Sequence, residues 1–465
     1  MLVGSTIGSG IFRSPAGIAA KLPGPLPMLA VWAVGGAFAL CGALTQAEVA
    51  GARPETGGLY VYIRDGWGRM PAFLFGWSEL VLIRAASMGA VSLTFAEYFL
   101  RVVGGGTPLG DAATQARASH WVAAVAIVVT SAFNYRGART GALVQNLTTV
   151  AKYGGLVFII LLALALGLPR TAAGPGGGHF TPAAPPGSFA PGAFGLALVS
   201  ALWAFDGWAD LSFVAGEVRD PRRTLPRALI FGTVAVVVVY LLANVAYLAV
   251  MPVGEIARSK LVAADVAERL VGRGGVAFVA ATVMLSTFGT LNGTLLTAPR
   301  IFYALADDGL FFRPVARVHP RYGSPYVAIL LTAALGVIFV LLRSFEALAD
   351  AFVTAILPFY ALGVASVFRL RRAARRGEAH YDPPFRVPGY PVVPLLFVAA
   401  TLYLLANALV DPAGRWATAG TLAVVVAGIP VYLLTVGRRP DRPVTRGPSG
   451  RVSQAAAPAV PVTDR

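Results

Sequence analysis

Three places in this sequence put polar or flexible residues inside apolar stretches, and each has the chemistry of a binding site. The first is Gly4-Ser5-Thr6-Ile7-Gly8-Ser9-Gly10-Ile11-Phe12, with three glycines in seven residues. The second is Trp203-Ala204-Phe205-Asp206-Gly207-Trp208-Ala209-Asp210, where an acid and a glycine interrupt the run. A glycine costs about 1 kcal/mol against alanine inside a helix, so both runs are expected to break. A half-helix that resumes after a break offers its N-terminus to an anion, and the unwound carbonyls suit an ammonium group. The third place is Lys152, about ten residues into the apolar run that contains LTTVAKYGGLVFII, deep for a side chain that has to snorkel out. A lysine held there can exchange a proton or stand in for a bound cation. Each feature has an ordinary reading as well: small residues pack helices closely, and a lysine near a helix end simply reaches water. Two breaks in corresponding positions favour a site, because freed backbone groups in lipid must be buried in protein or line a cavity.

The elements that carry these residues follow from composition. Of 465 residues, 56% are hydrophobic and 13% charged, about half the charge of a soluble domain, and the mean hydropathy is +0.69. That excludes a set of soluble domains and points to a polytopic helical membrane protein. Stretches of about 20 apolar residues fall at 1–20, 28–49, 71–100, 120–134, 142–167, 192–216, 228–250, 276–304, 326–342, 347–369, 391–410 and 415–436. Twelve spans are therefore expected, 120–134 being the shortest of the internal ones. The amphipathic stretch 251–275 reads as a re-entrant or surface helix, 170–192 as a Gly/Pro-rich linker, and 437–465 as a disordered tail.

Charge orients the spans. The net charge is +16, and all but Lys21, Lys152 and Lys260 of the 38 basic residues are arginine. They fall between the apolar runs, which argues against nucleic acid as a partner. Arginines crowd alternate loops, around 53–69, 136–139, 219–227, 300–321 and 369–386, with the tail from Arg438, and the other loops hold fewer. The rich loops are expected to be cytoplasmic, with both termini inside. The single Cys41 excludes an internal disulfide or a cysteine metal cluster, and the four histidines lie in or beside loops, so no cofactor is expected. Asn146-Leu-Thr and Asn292-Gly-Thr match a glycosylation pattern by chance, and GSTIGSG lacks the Lys-Ser/Thr of a phosphate loop. Only seven residues precede Gly8, about 10 Å of helix where half a bilayer is ~15 Å. A misplaced start or a truncated chain is the expectation.

From residue 3 to about 436 the sequence resembles the amino acid–polyamine–organocation superfamily, and most of all its L-amino-acid transporter subgroup. GSTIGSGIF resembles that family's broken first helix, and ARPETGGLYVYIRDGWG its first cytoplasmic loop. ELVLIRAAS resembles a Leu-Ile-Ile-Arg-Pro segment in the third helix, with Ala85 in place of the proline. LWAFDGWADLSFVAGEVRDPRRTLPRAL resembles the sixth helix and its loop, FGTLNGTLLTAPRIFYALADDGL the eighth, and FRVPGYPVVPLLFV the start of the eleventh.

The resemblance implies a five-plus-five inverted repeat of the leucine-transporter type, about 1–167 and 192–369. Two extra helices at 391–436 complete one transmembrane domain, 1–436. It implies that a substrate carboxylate meets Gly8, Ser9 and Gly10. The α-amino group would meet carbonyls near Thr6 and from Trp203 through Phe205 to Asp206, with Trp203 as an aromatic gate. Trp203 alone could also be an interfacial anchor. Lys152 matches the fifth-helix lysine that replaces sodium in sodium-independent members, with Thr290 and Thr294 as its hydroxyl partners. Asp206 departs from the glycine common in the subgroup; it could bind a cationic side chain, carry a proton or cap the broken helix. Arg84 and Glu79 suggest a structural ion pair, and Arg13 and Glu48 belong near helix ends or against other helices. Glu217, Arg219 and Asp220 resemble a cytoplasmic gate region. Loop 101–119 lacks the cysteine through which eukaryotic members hold a heavy subunit, so no disulfide-linked partner is expected. The expected function is alternating-access transport of L-amino acids across the plasma membrane, by exchange or with protons, and not enzyme catalysis. The alternatives are a basic amino acid or polyamine exchanger using Asp206, and a non-transporting amino-acid sensor.

Overall fold

The computed structural model describes residues 2–105, 110–172 and 175–437. Residues 106–109 of the loop at 101–119, residues 173–174 of the linker and the tail from Arg438 lie outside the described residues. Everything regular among the described residues is helical. The first span is broken, as Leu2–Thr6 (α1) and Gly10–Lys21 (α2), and Pro25–Ala52 (α3) follows it. Leu59–Trp67 (α4) precedes Arg69–Ser78 (α5), which runs through a π-turn at Glu79–Ile83 into Arg84–Val103 (α6). Ala112–Tyr135 (α7) and Ala138–Ala172 (α8) close the first half. The second half has the broken pair Pro191–Phe205 (α9) and Asp210–Phe213 (α10), then Pro221–Val250 (α11). Val253–Ile256 (α12), Val262–Val271 (α13), Arg273–Asp307 (α14), Tyr326–Leu342 (α15) and Phe345–Arg375 (α16) come next. Val392–Val410 (α17), Arg415–Val426 (α18) and Gly428–Thr435 (α19) end the fold.

Nine of these helical stretches are long and apolar enough to cross a membrane, and Pro191–Phe205 and Tyr326–Leu342 are shorter apolar helices. With the broken first helix they account for the twelve expected spans. The span expected at 120–134 is in fact 24 residues long; polar residues such as Gln115, Arg117 and His120 in its first turns lower the hydropathy without stopping the helix. The stretch 251–275 is a surface cap. Helix α13 is only ten residues, about 15 Å, and it buries Val262, Ala263, Val266 and Ala267 while Glu255 and Arg269 pair at its rim. The loop expected after the second span contains a helix, α4, whose Leu59, Tyr60, Val61, Tyr62 and Ile63 are all buried.

Large apolar side chains stay exposed on the outer helices, among them Leu147, Val150, Phe231, Leu402 and Trp416. Such a surface is unstable in water and is the natural partner of lipid. The core lies between α3, α6, α9, α11, α14 and α16, wrapped round the two breaks. Segments that charge assigned to one face do meet there. Arg53 pairs with Asp65, Arg64 with Glu55 and Asp308, Arg300 with Glu217, and Arg222 with Asp382. Glu48, fully buried in α3, accepts from Arg371, Tyr381 and the Val387 amide, which ties α16 and the 381–387 loop to that face.

Candidate functional site

The two breaks touch. Gly10 lies against the backbone of Ala204, so closely that a Cβ there would overlap it. Gly207, at φ +100°, faces the Ser5–Thr6 backbone in the same way, 3.0 Å from where its Cβ would stand. These two glycines are required by close approach, and Gly207 also by a conformation that L residues avoid. Tyr240 of α11 fastens the junction: its hydroxyl lies 2.9 Å from the Thr6 carbonyl and 2.9 Å from that of Ala204. The first helical bonds of α2 are donated by Phe12 and Arg13 to the Ser9 carbonyl. The amides of Gly10 and Ile11 at that N-terminus are therefore available to an anion. The Thr6 hydroxyl turns back to the Leu2 carbonyl, 3.1 Å away.

Beside this junction lies Lys152, fully buried in α8. Its Nζ donates to the Gly4 carbonyl and, at 2.7 Å, to the Ile7 carbonyl, with Thr290 Oγ1 at 3.3 Å. Ser286 Oγ also donates to the Ile7 carbonyl, at 3.2 Å. The structure thus gathers Lys152, the first break and Thr290, and corrects one expectation. The second hydroxyl at this point is Ser286, whereas Thr294 donates to Thr290 O at 3.1 Å and lines the neighbouring chamber. Positions 286, 290 and 294 share one face of α14, and the depth of the Ile7 carbonyl selects the first two.

The chamber between the breaks is small, about 30 Å³, room for a water or two. Its walls include Gly8, Ser9, Gly10, Trp203, Asp206 and Thr294, and also Thr6 and Thr290. Phe205, expected to offer its carbonyl, turns its side chain away from this chamber. At 100° per residue, Trp203 and Asp206 share a face, and Phe205 packs instead on Trp32 and Tyr240 at 5.8 and 5.2 Å between centroids. It lines a second, apolar cavity that reaches Asp206 from behind, along with Phe38, Phe352 and Ile356.

Six wall residues were not foreseen as site residues, among them Arg84, Ser87 and Asp210. Arg84 Nε donates to Glu79 at 2.6 Å, and Arg84 Nη2 lies 3.4 Å from Asp210. The ion pair suggested for Glu79 and Arg84 therefore exists, and a π-turn makes it. Five residues apart they would diverge on an α-helix, but the Arg84 amide bonds to the Glu79 carbonyl, i to i+5, and this wider turn brings them together. Asp210 was visible in the same motif as Asp206, yet nothing in sequence linked it to Arg84. Asp206 accepts from the Tyr360 hydroxyl at 2.5 Å and makes no direct ion pair among the described residues. It sits at the C-terminal end of α9, where a carboxylate opposes the helix dipole, and the N-cap of α10 is Ala209.

Both ends of the chamber are shut. On the arginine-poor face Trp203 meets Phe345 and Phe352 edge-on, at 5.9 and 5.2 Å. Arg13 lies 4.3 Å over Phe345 and pairs with Glu97 and Glu346. On the arginine-rich face Arg64 and the Tyr60 hydroxyl both reach Asp308, at 2.5 Å each, and Arg300 lies 3.2 Å from Glu217. The Asn292-Gly-Thr match is confirmed as chance, since Asn292 is buried and donates to the Gly141 carbonyl at 2.8 Å.

Two broken helices enclosing a small polar chamber, gated on both faces and surrounded by lipid-exposed helices, define a polytopic membrane transporter. The chain belongs to the amino acid permease family, whose sequence signature matches residues 1–433, and within the amino acid–polyamine–organocation superfamily it is of the L-amino-acid transporter type. It is 30% identical to the serine/threonine exchanger SteT of Bacillus subtilis, over 93% of this chain and 94% of that one. It is also 30% identical to the human b(0,+)-type amino acid transporter 1, over 94% and 86% of the two chains. The human cystine/glutamate transporter is 30% identical over 94% and 83%. The protein is a multi-pass membrane transporter of amino acids.

Proposed function

We propose that the protein moves L-amino acids by alternating access without sodium, as an exchanger or with protons. The observation that carries this reading is Lys152. Its ammonium lies among two carbonyls of the first break and a hydroxyl of α14, a set of oxygens that would otherwise suit a monovalent cation. A fixed charge there removes the place for a mobile one. The substrate carboxylate binds at Gly8, Ser9 and Gly10, where the N-terminus of α2 supplies amides. The α-amino group binds at the unwound carbonyls between Trp203 and Asp206. The Thr6 carbonyl is already held by Tyr240 and serves the junction. Trp203 closes over the substrate, and Thr290 with Ser286 completes the Lys152 site. Both termini face the cytoplasm, since arginine-rich loops stay inside, and the membrane is a plasma membrane, the inner membrane of a bacterium. Transport proceeds without a disulfide-linked heavy subunit.

Uptake of labelled amino acids into proteoliposomes, with sodium replaced by choline, is expected to be unchanged. Uptake driven by an inward sodium gradient alone would overturn the reading. Binding without counterflow would instead make the protein a sensor. A second reading rests on Asp206, a chamber carboxylate that accepts from a tyrosine while the neighbouring Arg84 pairs with Glu79 and Asp210. It would neutralise the side chain of a basic amino acid or a polyamine, and competition by lysine, arginine or putrescine distinguishes this from a neutral substrate range.

A further inference from the structure

A cavity of about 1030 Å³ that shares no wall residue with the chamber lies on the arginine-rich face, where α3, α4 and α16 end. Its walls carry Arg53, Arg369, Arg372, Arg376 and His380. Only two acids answer them: Asp65 holds Arg53 at 3.0 Å, and Glu378 lies 3.7 Å from Arg376. Arg369 and Arg372 have no carboxylate partner among the described residues. The guanidinium of Arg369 lies 4.9 Å from the centroid of the Trp67 ring, which holds the cation in place while leaving its N–H fork to face an oxyanion. Trp67 is itself anchored, its Nε1 donating to the Leu362 carbonyl at 2.9 Å.

We propose that this cavity binds the phosphate headgroup of an anionic phospholipid. Paired guanidiniums match phosphate geometry. Basic pockets between membrane helices at the headgroup level take such lipids, and α16 leaves the bilayer at this level. The cavity also adjoins the gate on its own face. Asp65 accepts from Arg53 and from Arg64, each at 3.0 Å, and Arg64 in turn holds Glu55 and Asp308. A phosphate that draws Arg53 away loosens one bond of Asp65 while the bond to Arg64 stays, so headgroup binding reaches the Arg64–Asp308 contact through a shared carboxylate.

The test uses the purified full chain in detergent, with its thermal unfolding midpoint followed against added phosphatidylglycerol, phosphatidylcholine or inorganic phosphate. Phosphatidylglycerol is expected to raise the midpoint and phosphatidylcholine to leave it unchanged. The double variant Arg369→Gln/Arg372→Gln should need a roughly 30-fold higher phosphatidylglycerol concentration for the same rise. Arg222→Gln/Arg223→Gln, on the same face outside the cavity, should respond like the unaltered chain. Inorganic phosphate that reproduces the rise in an arginine-dependent way would keep the phosphate site and overturn its assignment to lipid. An equal response of both double variants, or equal stabilisation by phosphatidylcholine, would overturn the site itself. Should the cavity variant not fold, native mass spectrometry of the single variant Arg372→Gln decides, with unchanged retention of phosphatidylglycerol counting against the proposal.

Discussion

Two cations lie at the heart of this membrane protein, and they are satisfied in opposite ways. Arg84 is held by carboxylates, Glu79 and Asp210. Lys152 is held by neutral oxygens, the Gly4 and Ile7 carbonyls and the Thr290 hydroxyl. A guanidinium locked between two acids in low dielectric is hard to separate, since breaking such a pair leaves an uncompensated buried charge. An ammonium among carbonyls of a half-helix is bound to something that can move. The first arrangement suits a fixed wall of the chamber. The second suits a joint between the broken first helix and the scaffold helices α8 and α14.

The comparison fails first at Arg84 if it is wrong. Arg84→Leu leaves Glu79 and Asp210 unpaired and should cost about 3–5 kcal/mol, read as a collapse of folded yield and of the unfolding midpoint in detergent. Adding Glu79→Gln and Asp210→Asn should restore much of it. A single variant as stable as the parent would mean the acids carry no charge.

Lys152→Ala is expected to act on function more than on folding. It removes bonds worth about 1.5–3 kcal/mol each for a charged donor, so transport per folded molecule should fall roughly 100-fold or more. Normal transport with a lowered melting point would make Lys152 a structural residue like Arg84.

Asp206→Asn keeps an oxygen for the Tyr360 hydroxyl and removes the charge. If Asp206 faces a substrate cation, KM for basic amino acids should rise about tenfold, near 1.4 kcal/mol, while neutral substrates are unaffected. An equal change for both classes assigns Asp206 to the chamber's shape or to a proton.

The smallest contrast separates two hydroxyls on α14. Ser286→Ala removes a bond to the Ile7 carbonyl and should slow transport about fivefold, near 1 kcal/mol. Thr294→Ser, which keeps the hydroxyl, should change little. Equal losses at both positions would return Thr294 to the Lys152 joint.

Much of this site was legible beforehand because its signals are violations of a strong rule. Glycines at 4, 8 and 10, Asp206 with Gly207, and Lys152 all stand where apolar helix formers are expected; all lie at a break or against one except Gly4, which sits inside α1 and packs on Gln145 and Thr149 of α8. Thr294 was set one turn too far along α14, and the Phe205 side chain faces away from the chamber, because neighbours in sequence differ by 100° round a helix and hydropathy does not report rotation. Tyr240, Ser286 and Tyr360 gave no signal, since a tyrosine or serine inside a span is ordinary. The helix at Leu59–Trp67 was hidden by its setting among arginines and glycines, although its Leu-Tyr-Val-Tyr-Ile run is apolar.

The sequence by itself determined the membrane class, the number of spans, the segregation of arginine to one face, and the positions where helices break. Those properties depend on the transfer of each segment to lipid and on backbone propensity, which are sums over local residues. Only the tertiary structure decided that Arg84 meets Asp210, 126 positions away, that Tyr240 bridges the two breaks, and that four arginines at the ends of α3 and α16 surround one cavity. Such pairings depend on how each helix is rotated and how closely its neighbours approach, and no local sum contains that information.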